Sequence, residues 1–270
     1  MIADMYKRRE KLAYIAFITL VAIGAGFLFY TGADSVEQWM EAVAFLMPAL
    51  MMLGVGIGSR SKYKKVKGIS IPRSSQNILE IDHIIIKKDA SWMPKMLVFE
   101  KNGSFLGSFH LTNVPWWARL YILLRSSSFT FLPVEIAFTS NKGDVVFTCR
   151  RRGFKQSIVE IYNTHGNFTG AYIQEEIKSV FTIKGELKDR EGKCLLQVKS
   201  SGFTGDFTLY DRDGLLWARF YNGRFPHEHT EIFRDVYNDM VEMTNRMPEN
   251  HKILLLGMVG YLFMNRNNRD

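Results

Sequence analysis

The sequence predicts a mainly β fold, an antiparallel β-barrel around a buried C-terminal hydrophobic helix, preceded by a transmembrane α-hairpin. Three observations carry this. Two long uncharged runs lie within the first 58 residues, short stretches of alternating polarity fill the chain after Gly68, and a segment apolar on every side, Ile253 to Met264, stands near its end.

The average composition conceals this division. With 47% hydrophobic and 23% charged residues and a mean hydropathy of -0.08, the chain as a whole resembles an ordinary soluble protein. Nearly all its long uncharged stretches fall in residues 1–58, and the remainder is long enough to bury one full core. The formal net charge of +8 would suit nucleic acid, but many basic residues flank the hydrophobic runs, which points to lipid. No nucleic-acid partner is expected. Cys149 and Cys194 are too few for a disulfide framework and lack metal-site spacing, so both are read as free thiols.

Residues 1–68 are read as a two-helix transmembrane anchor. The first span, about 12–30, is LAYIAFITLVAIGAGFLFY; its 19 residues are enough helix to cross a hydrocarbon core of ~30 Å. The second, about 42–58, is AVAFLMPALMMLGVGIG, in which Pro48 removes one backbone donor and is expected to kink the helix. Between them Asp34, Glu37 and Glu41 make a short acidic turn, and Ser35 to Gln38 has capping-box spacing. Lys7, Arg8, Arg9 and Lys11 precede the first span; Arg60, Lys62, Lys64, Lys65 and Lys67 follow the second. Basic residues at both outer flanks predict a multi-pass protein of the cell membrane with its N-terminus and C-terminal domain cytoplasmic. Ala22 with Gly26, and Gly54 with Gly58, place small residues four apart and are expected to pack the hairpin.

Residues 69–270 are expected to form one cytoplasmic β-barrel. In FTIKGEL, Ile183 and Gly185 share a face with Phe181 while Lys184 and Glu186 share the other, the period of a strand. Similar runs occur at ILEIDHIIIKK, KMLVFEKNG, FLGSFHLT, VEIAFTS, DVVFTC, SIVEIYN, CLLQVKS, GDFTLYD and LLWARFYN. A repeat emerges when they are aligned by their turns. Phe99, Tyr162 and Tyr210 each stand four residues before a glycine (Gly103, Gly166, Gly214), and four residues later comes Gly107, Gly170 or Ala218. The glycine supplies a turn conformation of positive φ and the later small residue leaves room for a neighbour. The helix at about 252–264 is too short to span and too apolar to lie on a surface, so it belongs inside the barrel.

The units Tyr210-Asp-Arg-Asp-Gly214-Leu-Leu-Trp and Tyr162-Asn-Thr-His-Gly166-Asn-Phe-Thr, with the Ile253 to Met264 helix, together resemble the tubby-like superfamily, in its branch of phospholipid scramblases and plant LURP-one-related proteins. The resemblance covers approximately residues 70–264. It implies a twelve-stranded antiparallel barrel enclosing a hydrophobic C-terminal helix, with tubby members binding phosphoinositide head groups and scramblases acting at bilayers. Scramblases usually carry their transmembrane segment at the C-terminal end, whereas here the anchor is N-terminal. Neither the calcium-binding stretch nor the tubby lipid-binding lysine and arginine positions map onto this chain residue by residue.

Candidate lipid- or phosphate-binding residues are the span-exit cluster Arg60, Lys62, Lys64, Lys65 and Lys67, and the run Arg150, Arg151, Arg152 with Lys155. Each Lys or Arg near an anionic leaflet gains about 1 kcal/mol. Trp116 and Trp117, within VPWWARLYILLR, are read either as an interfacial loop dipping into the bilayer or as core. His227-Glu-His229 with Glu231 alternates as on a strand, but zinc needs further ligands, so no metal is expected. Nucleophile elbow, Walker loop, paired zinc cysteines and H-E-x-x-H are all missing from the sequence. The expected function is a non-enzymatic membrane-anchored module, without a cofactor, that binds anionic phospholipid head groups or a membrane protein partner. The alternatives are scramblase-like bilayer remodelling and an interaction or immunity protein guarding a membrane complex.

Overall fold

The computed structural model describes residues 2–32, 35–91, 93–124, 132–153, 156–175, 183–200, 207–211, 213–223 and 238–266. The chain divides into two compact units, 1–70 and 71–270.

The first unit is an antiparallel pair of helices, α1 (Ile2–Thr31) and α2 (Val36–Val66). Both are long and apolar enough to cross a membrane, with mean hydropathies of 2.3 and 1.9 over their most apolar stretches. The Ser35 cap forms as its spacing suggests: the Gln38 amide N–H donates to Ser35 Oγ at 3.3 Å, and the Ser35 N–H to Gln38 Oε1 at 3.2 Å. Pro48 lies inside α2, which continues to Val66. The four-spaced small pairs do not pack the hairpin. A Cβ on Gly26, Gly54 or Gly58 would meet nothing within 4 Å, and Ala22 is exposed. Close approach instead occurs at Gly56, where a Cβ would come within 3.0 Å of the Tyr14 ring. Because 3.6 residues make a turn, shifting by two positions moves a residue to the far side of the helix.

In the second unit twelve strands are described: β1 (His83–Lys88), β2 (Lys95–Glu100), β3 (Phe105–Thr112), β4 (Glu135–Ser140), β5 (Val145–Arg152), β6 (Gln156–Asn163), β7 (Phe168–Glu175), β8 (Ile183–Asp189), β9 (Cys194–Ser200), β10 (Phe207–Tyr210), β11 (Leu216–Gly223) and β12 (Asn238–Met243). The expected strand at Ile78 starts later, because Asn77 caps a short 3-10 turn over Ile78–Glu80. The sheet runs β10-β11-β12-β1 and on in sequence to β9, each pair antiparallel. An isolated bridge, Leu196 to Asp211, links β9 to the end of β10 and nearly closes the barrel.

Five hairpins turn the same way. From Glu100, Ser140, Asn163, Asp189 and Asp211, a glycine three residues on donates its N–H back to the first carbonyl at 2.9 to 3.2 Å. Those glycines, Gly103, Gly143, Gly166, Gly192 and Gly214, have φ between +74° and +99°, where a Cβ is strained. Asn163 and Asp211 each accept two loop amides on Oδ1, which holds the turn from the side chain. Each hairpin then slips register by one residue, a bulge of the kind that follows such a turn.

Helix α4 (Glu249–Arg266) fills the barrel. Its residues Leu255 to Tyr261 touch essentially no solvent. Side chains of α4 reach strands on several sides of it. Tyr261 lies 6.2 Å from the Tyr172 ring on β7 and Phe263 lies 6.0 Å from Phe220 on β11. Gly257 and Gly260 let the helix close on the wall: a Cβ at 257 would sit 2.9 Å from Ile161 and one at 260 would sit 2.4 Å from Phe109. Phe109, Phe138 and Phe147 stack as a layer at 5.0 to 6.0 Å. Cys149 and Cys194 are free, as expected, and burial pushes the Cys149 thiol up.

Candidate functional site

The arginine run lies at the end of β5, and strand alternation splits it. Arg150 and Arg152 point outward. Arg150 Nε donates to Glu135 Oε2 at 3.0 Å, its guanidinium lies 5.0 Å from the Tyr162 ring centroid, and Arg152 pairs with Glu160. The Tyr162 hydroxyl donates to Glu160 at 3.0 Å; burial first, then that carboxylate, raises its pKa. Arg151 points into the barrel and is 3% exposed. It donates to Ser157 Oγ and to the Leu132 carbonyl, both at 3.0 Å, and the Tyr261 hydroxyl joins Ser157 at 3.3 Å. The reading of Arg150, Arg151 and Arg152 as one basic cluster of candidate lipid- or phosphate-binding residues is therefore corrected at Arg151, a buried strut joining wall to helix, while its outer neighbours lean on carboxylates. Lys155 lies outside the described residues, as do His227, His229 and Glu231.

The span-exit cluster is helical. Arg60, Lys62, Lys64 and Lys65 occupy the last turns of α2, where a cation also complements the helix dipole, and Lys67 caps it. Arg60 approaches Glu10 at 3.8 Å, and the Lys62 ammonium lies 5.9 Å from the Tyr6 ring.

Trp116 and Trp117 stand on a helix, not a loop. After Asn113, whose φ is +51°, and Pro115, α3 (Trp116–Leu124) begins. Ala118 and Ile122, four apart, are built into the hydrophobic core, while Trp116 is 79% and Trp117 49% exposed. Arg119, also exposed, donates its Nε to the Val114 carbonyl at 3.1 Å, holding the helix start. Of the two readings of this segment, core packing fits Ala118 and Ile122, and an outward surface fits the tryptophans.

One feature lay beyond sequence reading. On the outer face of β6 to β9 a groove of about 500 Å³ is lined by Gln156, Glu175, Lys184, Glu186, Gln197 and Lys199, among others. Lys184 and Lys199 are far apart in the sequence and meet only because β8 and β9 pair in that register. Among the described residues no group of three or more His, Cys, Asp or Glu side chains is arranged to hold a metal ion.

Comparison of the chain with protein-family models, with curated proteins and with solved structures found no match.

Proposed function

We propose that the chain is a membrane-anchored, non-enzymatic module whose barrel engages the surface of an anionic bilayer. The observation that carries this reading is α3, which seats Ala118 and Ile122 in the core and leaves two adjacent tryptophans outside. An indole has a large apolar body and a polar N–H, and it prefers the depth of lipid head groups over either water or hydrocarbon. A pair of them beside Arg119 suits shallow insertion with a cation left at the phosphates.

The helical unit supports the same reading. Ile18, Leu50 and Met51 are 57% to 70% exposed on helices with long uncharged centres, a surface that only hydrocarbon or other helices would stabilise. The basic flanks favour a cytoplasmic N-terminus and barrel, a side on which anionic lipids would attract Arg60, Lys62, Lys64, Lys65 and Lys67. Because α4 occupies the barrel interior, lipid contact falls on the outside of the wall. A twelve-stranded antiparallel barrel around a C-terminal helix is also the architecture that the tubby-like resemblance implies, which supports carrying a lipid-facing role to this chain.

The test is co-sedimentation of residues 71–270, a compact unit, with vesicles, their folding checked by near-ultraviolet circular dichroism. Binding is expected to favour anionic over neutral vesicles and to fall at least about tenfold in Trp116→Ser/Trp117→Ser, which leaves the fold intact. Equal binding to both vesicle types would remove the electrostatic part of the reading; undiminished binding by the double variant would remove α3 from it.

A further inference from the structure

The two terminal strands of the sheet, β9 and β10, share one bridge among the described residues, Leu196 to Asp211, and beside it a cavity of about 350 Å³ opens at the turn end of the barrel. Three segments wall it: the start of β9, the β10–β11 turn, and the connection from β12 into α4. Its floor is held in place before any ligand arrives. Trp217 donates its indole N–H to Asp211 Oδ2 at 3.2 Å and stacks on the His251 ring at 5.3 Å, while Asp211 Oδ1 accepts the Asp213 and Leu215 amides at 2.9 and 2.8 Å. Leu195, Leu215 and Met247 line the walls, and Leu215 is 44% exposed in a turn, where polar residues are the rule. A cavity of this size, more apolar than polar, has the dimensions of a small-molecule site.

Four ionised side chains line it, two of each sign, so their formal charges cancel: Lys193, Arg246, Asp211 and Asp213. Asp211 is occupied by its three N–H donors. The Lys193 ammonium, the Arg246 guanidinium and the Asp213 carboxylate have no partner among the described residues. A simple anion would satisfy the two cations and leave Asp213 facing it; a simple amine would satisfy Asp213 and face both cations. A zwitterion answers all three, because its carboxylate accepts from Arg246 and Lys193, its ammonium donates to Asp213, and the net charge stays at zero. The compound that carries both groups on one carbon, together with a side chain for the apolar wall, is an α-amino acid.

We propose that the cavity beside the β9–β10 bridge binds a free α-amino acid with an apolar side chain. Arg246 and Lys193 hold its carboxylate, Asp213 holds its ammonium, and Leu195, Leu215 and Met247 enclose its side chain over Trp217. The site shares no residue with α3 and stands independently of α3 contact with a bilayer.

The experiment titrates the full chain, in nanodiscs of phosphatidylcholine, with L-leucine, L-methionine and L-phenylalanine by calorimetry. Each is compared with the matching amine, which lacks the carboxylate, and the matching acid, which lacks the ammonium. Saturable binding of at least one amino acid is expected, weakened at least about tenfold by the loss of either charged group. Arg246→Gln and Asp213→Asn are each expected to weaken it by a similar factor, and Lys142→Gln, in the β4–β5 turn, to leave it unchanged. In Asp213→Asn the preference for the amino acid over the matching acid should disappear while its preference over the matching amine persists, a pattern that loss of folding cannot produce. No saturable binding of any of the three, equal binding of the amine or the acid by the parent, or an undiminished preference over the acid in Asp213→Asn overturns the proposal. Failure of the α3 reading would show separately, in the vesicle experiment.

Discussion

The two ends of the barrel are built by different means. At one end the chain reverses five times through the same short turn, fixed by a backbone hydrogen bond and a glycine of positive φ. At the other the strands are joined across 89–94, 113–134, 153–155, 176–182, 201–206 and 224–237, all but 153–155 longer than those turns, and 113–134 carries α3. The polar interior concentrates at this second end, where Arg151, Ser157, Gln174 and Asn238 are all at most 3% exposed. The tryptophan pair and the facing lysines are found there too. Local hydrogen bonding suffices to specify the turn end, whereas α3 at the connection end is held by the core contacts of Ala118 and Ile122.

What the two ends share is α4, and the largest effect comes from breaking it. Gly260→Leu begins with a Cβ 2.4 Å from Phe109 and adds a branched side chain behind it. Destabilisation of about 3 kcal/mol or more is expected, with loss of near-ultraviolet ellipticity, measured by urea denaturation of residues 71–270. A tolerated leucine would mean that the helix does not depend on close contact with β3, and both ends would then need another common support.

The second comparison separates the inside of the connection end from its outside. Arg151→Leu leaves the Leu132 carbonyl without its buried guanidinium donor and Ser157 Oγ with the Tyr261 hydroxyl but not the guanidinium, which costs about 1 to 3 kcal/mol. Arg150→Gln, one residue away but on the exposed side of β5, removes an ion pair worth less than about 1 kcal/mol. Equal losses in denaturation experiments would show that the inner strut contributes no more than surface pairing, and the contrast between the buried and the exposed side of β5 would fail.

Much of this was legible in the amino-acid order. Strand periodicity located the sheet, and an all-round apolar segment too short to span implied a wall around it. The aromatic residue marks three of the five turns, those of Gly103, Gly166 and Gly214. Thr139 and Lys188 take the aromatic place in the hairpins of Gly143 and Gly192, so the mark was incidental; what the turn needs is an acceptor residue followed three later by glycine. The inward turn of Arg151 was available from alternation along β5 and was hidden by reading three arginines as one cluster. The hairpin glycines show a similar limit: four-residue spacing says that two residues share a helix face but not which neighbour that face meets. The lysine groove was not legible at all. Nothing in either strand alone says that position 184 stands opposite 199, since register is fixed by the whole barrel.

The smallest effect tests whether the five turns are equivalent. Gly166 and Gly192 have φ of +74° and +84°, and a Cβ on either would meet nothing within 4 Å, so Gly166→Ala and Gly192→Ala carry no steric term. The cost is that of holding an L-residue in the left-handed region, about 1 kcal/mol each, and the two should agree in urea denaturation. Gly170, four residues after Gly166, is a different case: its Cβ would lie 2.3 Å from the Lys188 carbonyl, where the next hairpin bulges against it. If the two turn glycines differ by as much as the cost itself, the hairpins are not interchangeable units, and each turn is specified by its surroundings as well as by its own backbone hydrogen bond.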